Sequence, residues 1–298
     1  MRAFHEIRDT GGSSGKAYRG ADPGGTASAH EATTPRHLTR EAQASPKDRG
    51  ERAATGVRVR APRNTPVSDG LVVGIDCATR TVRAICVDAS GGVLAQAARE
   101  LPAPVRSAPG HSEQDARAWW PAVAATLREL TALLGSDARR IVALAPATTS
   151  GTIVLADGDG EPLGPALLYD DVRAHNEAER AQRLGAERWE RAGLQIGSSF
   201  ALAKLAWLAG RPQGLEGAAH AWSTADLIVA RLLGRPGPSD WSHALKTGYD
   251  PLERSWAHDV LEALGIPSTL LPEVERPTHL AGELSADAAG LIVVFAND

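Results

Sequence analysis

The chain has 298 residues, 43% hydrophobic and 23% charged, which allows one large or two small globular domains. Net charge is −4 but uneven: residues 1–70 carry 12 Lys/Arg against 8 Asp/Glu, and the remainder 20 against 28, an acidic balance that argues against a nucleic-acid partner. No apolar run reaches the ~18 residues that span a bilayer, and no secretory h-region opens the chain. The two cysteines, Cys77 and Cys86, form neither a disulfide framework nor a metal spacing. A cytoplasmic protein with reduced core thiols and no membrane partner is expected.

Residues 1–70 contain only eight large apolar residues, from Met1 to Val67, too few to offset the entropy of ordering. Disorder is expected there. The segment reads either as a basic tail for an anionic partner or, preferably, as an extension from a start placed too far upstream. Three strands follow, Leu71–Cys77, Val82–Val87 and Gly92–Glu100, and their short links imply antiparallel neighbours. A helix is predicted from Asp115 to Leu134. Trp119, Val123, Leu127, Leu130 and Leu134 share one of its faces, Asp115 is a plausible N-cap and Gly135 a plausible stop. A buried strand, Ile141–Ala145, precedes an alternating one, Thr152–Ala156, and a turn at Asp157–Gly160. Beyond residue 170 the pattern is mostly helical, with candidates at Val172–Leu184, Phe200–Leu208, Ala225–Leu233 and Ala257–Leu264. Ser223 with Asp226 reads as a capping box, and Gly234 as a helix end. The order of elements supports an α/β layered domain. At the end of the sequence, residues 291–298 open with a buried-strand-like run, Leu291 to Phe295.

Two segments carry the chemistry. In Gly74-Ile75-Asp76-Cys77-Ala78-Thr79-Arg80-Thr81-Val82-Arg83, an apolar strand delivers Asp76 to a tight turn. A carboxylate there can hold the waters of a Mg²⁺, and the turn's N–H groups and Thr79 hydroxyl can meet phosphate oxygens. In Ser239-Asp240-Trp241-Ser242-His243-Ala244-Leu245-Lys246-Thr247-Gly248-Tyr249-Asp250, an Asp stands among small and hydroxyl residues, with room for an alcohol beside a general base. Phosphoryl transfer to an alcohol needs both ends. The plain alternatives are a strand-end aspartate at Asp76 and a helix-capping aspartate at Asp240.

Together with Pro109–Asp115, Trp119-Trp120 and Leu168-Tyr169-Asp170-Asp171-Val172-Arg173, these segments resemble the FGGY family of carbohydrate kinases over residues 71–290. The resemblance implies a ribonuclease-H-like lobe of the actin/hexokinase type, a mixed sheet flanked by helices. It implies ATP and Mg²⁺ as cofactors, with Asp76 organising the metal through water, Thr79 facing the phosphate and Arg83 supporting the site. Asp240 would be the base. Thr149, Ser150, Tyr169 and Asp171 would line the sugar pocket, while Arg173 would form a structural pair. Glu113-Gln114-Asp115 and Trp119-Trp120 would fix a loop and helix, and Lys204 would be a packed, snorkelling lysine. The family usually has Gly where Ala78 stands, which questions efficient ATP use. The substrate implied is a ketopentose, D-ribulose ahead of D-xylulose. Family members continue into a second lobe that binds adenosine, so residues 291–298 read as its truncated start. A non-catalytic sugar-binding fragment or pseudogene product is the alternative, and an actin-like ATPase a third. A homo-oligomer is compatible with the sequence.

Overall fold

A computed structural model describes residues 69–293. These belong to one unit, Arg63–Asp298, so the reading of residues 1–70 lies almost wholly outside the described residues. The chain enters through β1 (Leu71–Cys77), β2 (Thr81–Val87) and β3 (Val93–Glu100), all antiparallel neighbours. Alternate residues of β1, Leu71, Val73, Ile75 and Cys77, turn inward, as period-two patterning requires. β4 (Glu113–Gln114) precedes α1 (Trp119–Leu134). The Asp115 side chain accepts the Arg117 N–H of a short 3₁₀ turn before α1, so the predicted cap operates one turn early. Trp119, Val123, Leu127 and Leu130 pack inward from α1, and the helix stops at Gly135.

β5 (Ile141–Thr148) then returns parallel to β1, giving a four-stranded mixed sheet in the order β3-β2-β1-β5. The continuous apolar run of β5 predicts a strand buried on both faces. Instead it lies at the sheet edge, and Val142 is 61% exposed. β6 (Val154–Ala156) alternates, with Val154 and Ala156 buried and Leu155 partly exposed, and it pairs antiparallel with His220–Trp222. β7 (Ala166–Leu167) pairs with β4.

The helical part comprises α2 (His175–Leu184), α3 (Ala186–Arg191), α4 (Ala201–Ala209), β8 (His220–Trp222) and α5 (Thr224–Leu233). The capping box forms as expected, with Ser223 and Asp226 bonded reciprocally, and Gly234 ends α5 in the left-handed region, where a Cβ would be strained. β9 (Ser239–Asp240), α6 (Trp241–Ala244), β10 (Tyr249–Asp250), β11 (Ser255–Trp256), α7 (His258–Ala263) and β12 (Val274–Glu275) complete the body. α8 (Ala286–Val293) replaces the strand-like reading of that stretch, and residues 294–298 lie outside the described residues.

Two large apolar cores result, with a small third cluster of Ala174, Ala178 and Ala203. One lies between the sheet and α1, α5 and α8, and holds Trp119, Leu127, Ile228 and Trp222. The other gathers α3, α4 and α7 around Trp189, Leu202 and Leu261. Cys77 and Cys86 are free, buried thiols, and burial, with Asp76 nearby, pushes the Cys77 thiol up to about 12. No helix among the described residues is long and apolar enough to cross a membrane.

Candidate functional site

β1 and β5 run parallel, so their C-terminal ends finish side by side, with Asp76 opposite Ala147 and Cys77 opposite Thr148. The turn after β1 closes through Ala78 N–H to Thr81 O, 2.9 Å. The non-glycine residues with positive φ among those described are Gln213 and Arg254, so Ala78 forms this turn without left-handed strain. Gln114 holds the turn from behind. Its Nε2 donates to Thr79 O at 2.8 Å and to Pro102 O at 2.7 Å, while its Oε1 accepts from Trp119 Nε1 at 2.8 Å. The Gln114 and Trp119 pattern therefore fixes the loop, as expected.

Thr79 and Thr149 line one cavity of about 10 Å³ together with Gln114, Thr152 and Leu168, room for a single water. The turn after β5 thus faces the turn after β1. Gly151 holds that second turn with φ +86°, and a Cβ on it would sit 2.2 Å from Ser199 O. Lys204 donates to Gly151 O at 3.0 Å and has no exposed surface. It does not snorkel to water. Burial, only partly offset by Asp171, draws its pKa down to about 7.

Asp76 is half exposed, and one of its oxygens is 3.2 Å from Arg83 Nη1. Among the described residues no group of three His, Cys, Asp or Glu side chains could hold a metal. Asp76 therefore offers a cation a single carboxylate, which fits Mg²⁺ held largely by waters and phosphate oxygens.

Asp171 does not line a sugar pocket. It has no exposed surface, its Oδ2 accepts the Ser112 N–H at 2.7 Å, and both oxygens bind the Arg173 guanidinium. Arg173 also meets Glu113 at 2.7 Å, so the pair is structural on both sides. Tyr169, two residues earlier, is 41% exposed and free to meet a ligand.

Asp240 is the N-cap of α6. Its Oδ1 accepts from the Ser242 N–H at 2.8 Å, the His243 N–H at 3.3 Å and the Ser242 hydroxyl, and its Oδ2 is 2.6 Å from His243 Nδ1. Burial works against the charged form. Even so, the bonds from His243 and Ser242 and the charge on His243 hold this carboxyl far below the usual range. A carboxylate so furnished with donors is a weak proton acceptor. The geometry is that of a helix cap with a histidine partner. Asp240 borders a cleft of about 620 Å³ along β5 and α5, and Asp76 is not among the residues of that cleft. The two carboxylates are linked less directly: His243 Nε2 is 3.0 Å from Thr148 Oγ1, and Thr148 pairs with Cys77, the neighbour of Asp76. His243 is the residue that motif reading missed. Its signal is the Asp240-x-x-His243 spacing, which at the start of a helix aims an imidazole at the capping carboxylate.

Residues 71–295 match the N-terminal domain of the FGGY family of carbohydrate kinases. The chain is 34% identical over 218 residues to a xylulose kinase of Streptomyces rubiginosus, covering 71% of this chain and 44% of the relative. It is 31% identical over 229 residues to a glycerol kinase of Gloeobacter violaceus, covering 74% and 45%. Among solved structures, a xylulose kinase from Rhodospirillum rubrum superimposes with a TM-score of 0.68 at 27% identity, covering 74% of this chain and 46% of that one. The chain spans about half the length of the curated relatives it matches. With the sheet order, the facing turns and the matched span in agreement, the chain belongs to the FGGY family of carbohydrate kinases.

Proposed function

We propose that this chain forms the sugar-binding and phosphate-facing half of an ATP-dependent kinase that phosphorylates a hydroxyl of a ketopentose. The observation that carries the reading is the convergence of Thr79 and Thr149 on one small cavity where parallel strands end. One turn serves the phosphate and the other the acceptor sugar. Thr149 and Ser150 hydrogen-bond sugar hydroxyls, and Tyr169 lays its ring on a C–H face. The relatives named as xylulose kinases favour D-xylulose over the D-ribulose preferred from sequence motifs, with glycerol kinases among the more distant matches.

Thr79 and the N–H groups of its turn orient the transferring phosphate. Asp76 holds the hydration shell of Mg²⁺, which when bound neutralises charge on phosphate oxygens. Arg83 keeps the Asp76 carboxylate in place. In a loose phosphoryl-transfer transition state, positioning matters more than proton abstraction. A weakly basic Asp240 is compatible with that chemistry as an organiser of the acceptor side. The second reading, a sugar-binding piece without turnover, is favoured by the donors already committed to Asp240.

Isothermal titration of the chain with D-xylulose, D-ribulose and glycerol tests this. Binding of a pentulose is expected, and Thr149→Val with Ser150→Ala should weaken it about tenfold or more, as two lost hydrogen bonds predict. A chain that binds none of the three sugars refutes the reading. With MgATP present, Asp76→Asn should lower whatever ADP release the protein supports.

A further inference from the structure

Thr148 is the last residue of β5, one step before the turn assigned above to the sugar, and it is partly exposed. Behind it sits His243, whose ring is almost fully enclosed and reaches Thr148 with Nε2 and Asp240 with Nδ1. The carboxylate at 2.6 Å accepts only, so Nδ1 carries a proton. The state of Nε2 then decides what Thr148 can do. If Nε2 is protonated it donates to Thr148 Oγ1, and the Thr148 hydroxyl proton is free to point outward. If Nε2 is bare, the Thr148 hydroxyl must turn inward and donate to it, leaving only oxygen lone pairs for a ligand.

We propose that His243 is a positioning residue: clamped between Asp240 and Thr148 as an imidazolium, it commits the Thr148 hydroxyl to donate to an oxygen of the sugar bound at the turn after β5. The inference rests on the sugar reading of that turn. The charged groups facing the ring are Asp240 from β9 and Asp226 from α5, both acidic, while β5 contributes only Thr148. Burial opposes the cation. The hydrogen bond and charge of Asp240, the charge of Asp226 and the Thr148 backbone outweigh it and raise the His243 pKa above its ordinary value. That shift moves the balance toward the donor state. Raising the pH through that shifted value converts Thr148 from a donor to an acceptor, without moving any backbone. This gives the site a pH-dependent preference that the exposed residues of the turn do not carry themselves.

The test uses the full chain with D-xylulose as the probe. ¹⁵N imidazole shifts report His243 directly, and affinity is titrated from pH 6 to pH 9. The expected result is an imidazolium with both nitrogens protonated at pH 7, and an affinity that falls about three- to tenfold as His243 titrates, the worth of one hydrogen bond. Thr148→Val and His243→Gln should each bind weakly and show a pH-flat affinity, whereas Thr148→Ser should keep both the affinity and its pH dependence. Asp240→Asn should lower the His243 midpoint. If D-xylulose binds with an affinity indifferent to pH or to Thr148→Val, or if Nε2 is bare at pH 7, the role of His243 is overturned while the sugar reading stands. If D-xylulose fails to bind, the same series is run with whichever of D-ribulose and glycerol binds, and if none of the three binds at any pH the sugar reading of the turn falls and this role falls with it.

Discussion

Two aspartate–arginine pairs stand close to the candidate site and behave as opposites. Asp171 and Arg173 are enclosed, share four hydrogen bonds and recruit Glu113 as a second anion. Asp76 and Arg83 face each other across β1 and β2 through one 3.2 Å contact, both at least half exposed. The first pair has every oxygen committed to the protein and has none to offer a ligand. The second holds its carboxylate loosely, with an oxygen left for waters or a cation. In this lobe solvent access, rather than residue type, separates structural charge from available charge.

Breaking the enclosed pair should have the largest effect. Asp171→Ala leaves the Arg173 guanidinium with Glu113 as its remaining anion and the Ser112 N–H without its acceptor, and should cost about 2–4 kcal/mol. Chemical denaturation measures this, and a loss under 1 kcal/mol would mean that Arg173 finds another partner. Next comes Gly151→Ala, which forces a Cβ into the left-handed region and against Ser199 O. Strain alone should remove about 1–3 kcal/mol, and sugar affinity should fall in parallel.

Stability against pH probes the groups between these extremes. The depressed Asp240 contributes stability that is complete above its unfolded value of 3.8 and is lost as pH falls through the folded one. The raised His243 contributes stability that is complete below its unfolded value of 6.5 and is lost as pH rises through the folded one. Asp240→Asn should flatten both flanks, while the Asn side chain caps the helix about as well as Asp. Lys204 has the opposite sign: with a folded value of about 7 against 10.5, it makes the protein more stable as pH rises between them, and Lys204→Met should erase that gain. Denaturant midpoints from pH 3 to pH 10 resolve the three. The smallest effect belongs to the exposed pair. Asp76→Asn should change stability by about 0–1 kcal/mol, and a larger loss would place Asp76 among the structural charges.

The strands β1 to β3, helix α1 and the capping box of α5 were legible because each is set by local patterning and end chemistry. β5 was half legible. Its apolar run correctly signals a strand, but composition does not say whether a neighbour covers it, and none of the described strands does so on its outer side. The stretch from Leu291 favours a strand by its β-branched residues, yet it continues a helix that begins at Ala286 and packs on α1. At the site, Gln114 and Trp119 were readable as a structural latch, whereas Asp171 was indistinguishable in sequence from an exposed ligand. The Asp240 block was found, but its chemistry depends on a proton shared with His243, and that follows only from seeing the ring enclosed between two partners.

The open side of β5 has a consequence for the behaviour of this chain in concentrated solution. Among the described residues no strand pairs with the outer side of β5, so the backbone beside Val142 and Ala143 is a place where an extended segment of another molecule can add. Pro146 interrupts that edge, since it has no N–H to offer and stands two residues before the strand ends. Replacing it would remove a gatekeeper, and such addition should quicken most in a Pro146→Val variant.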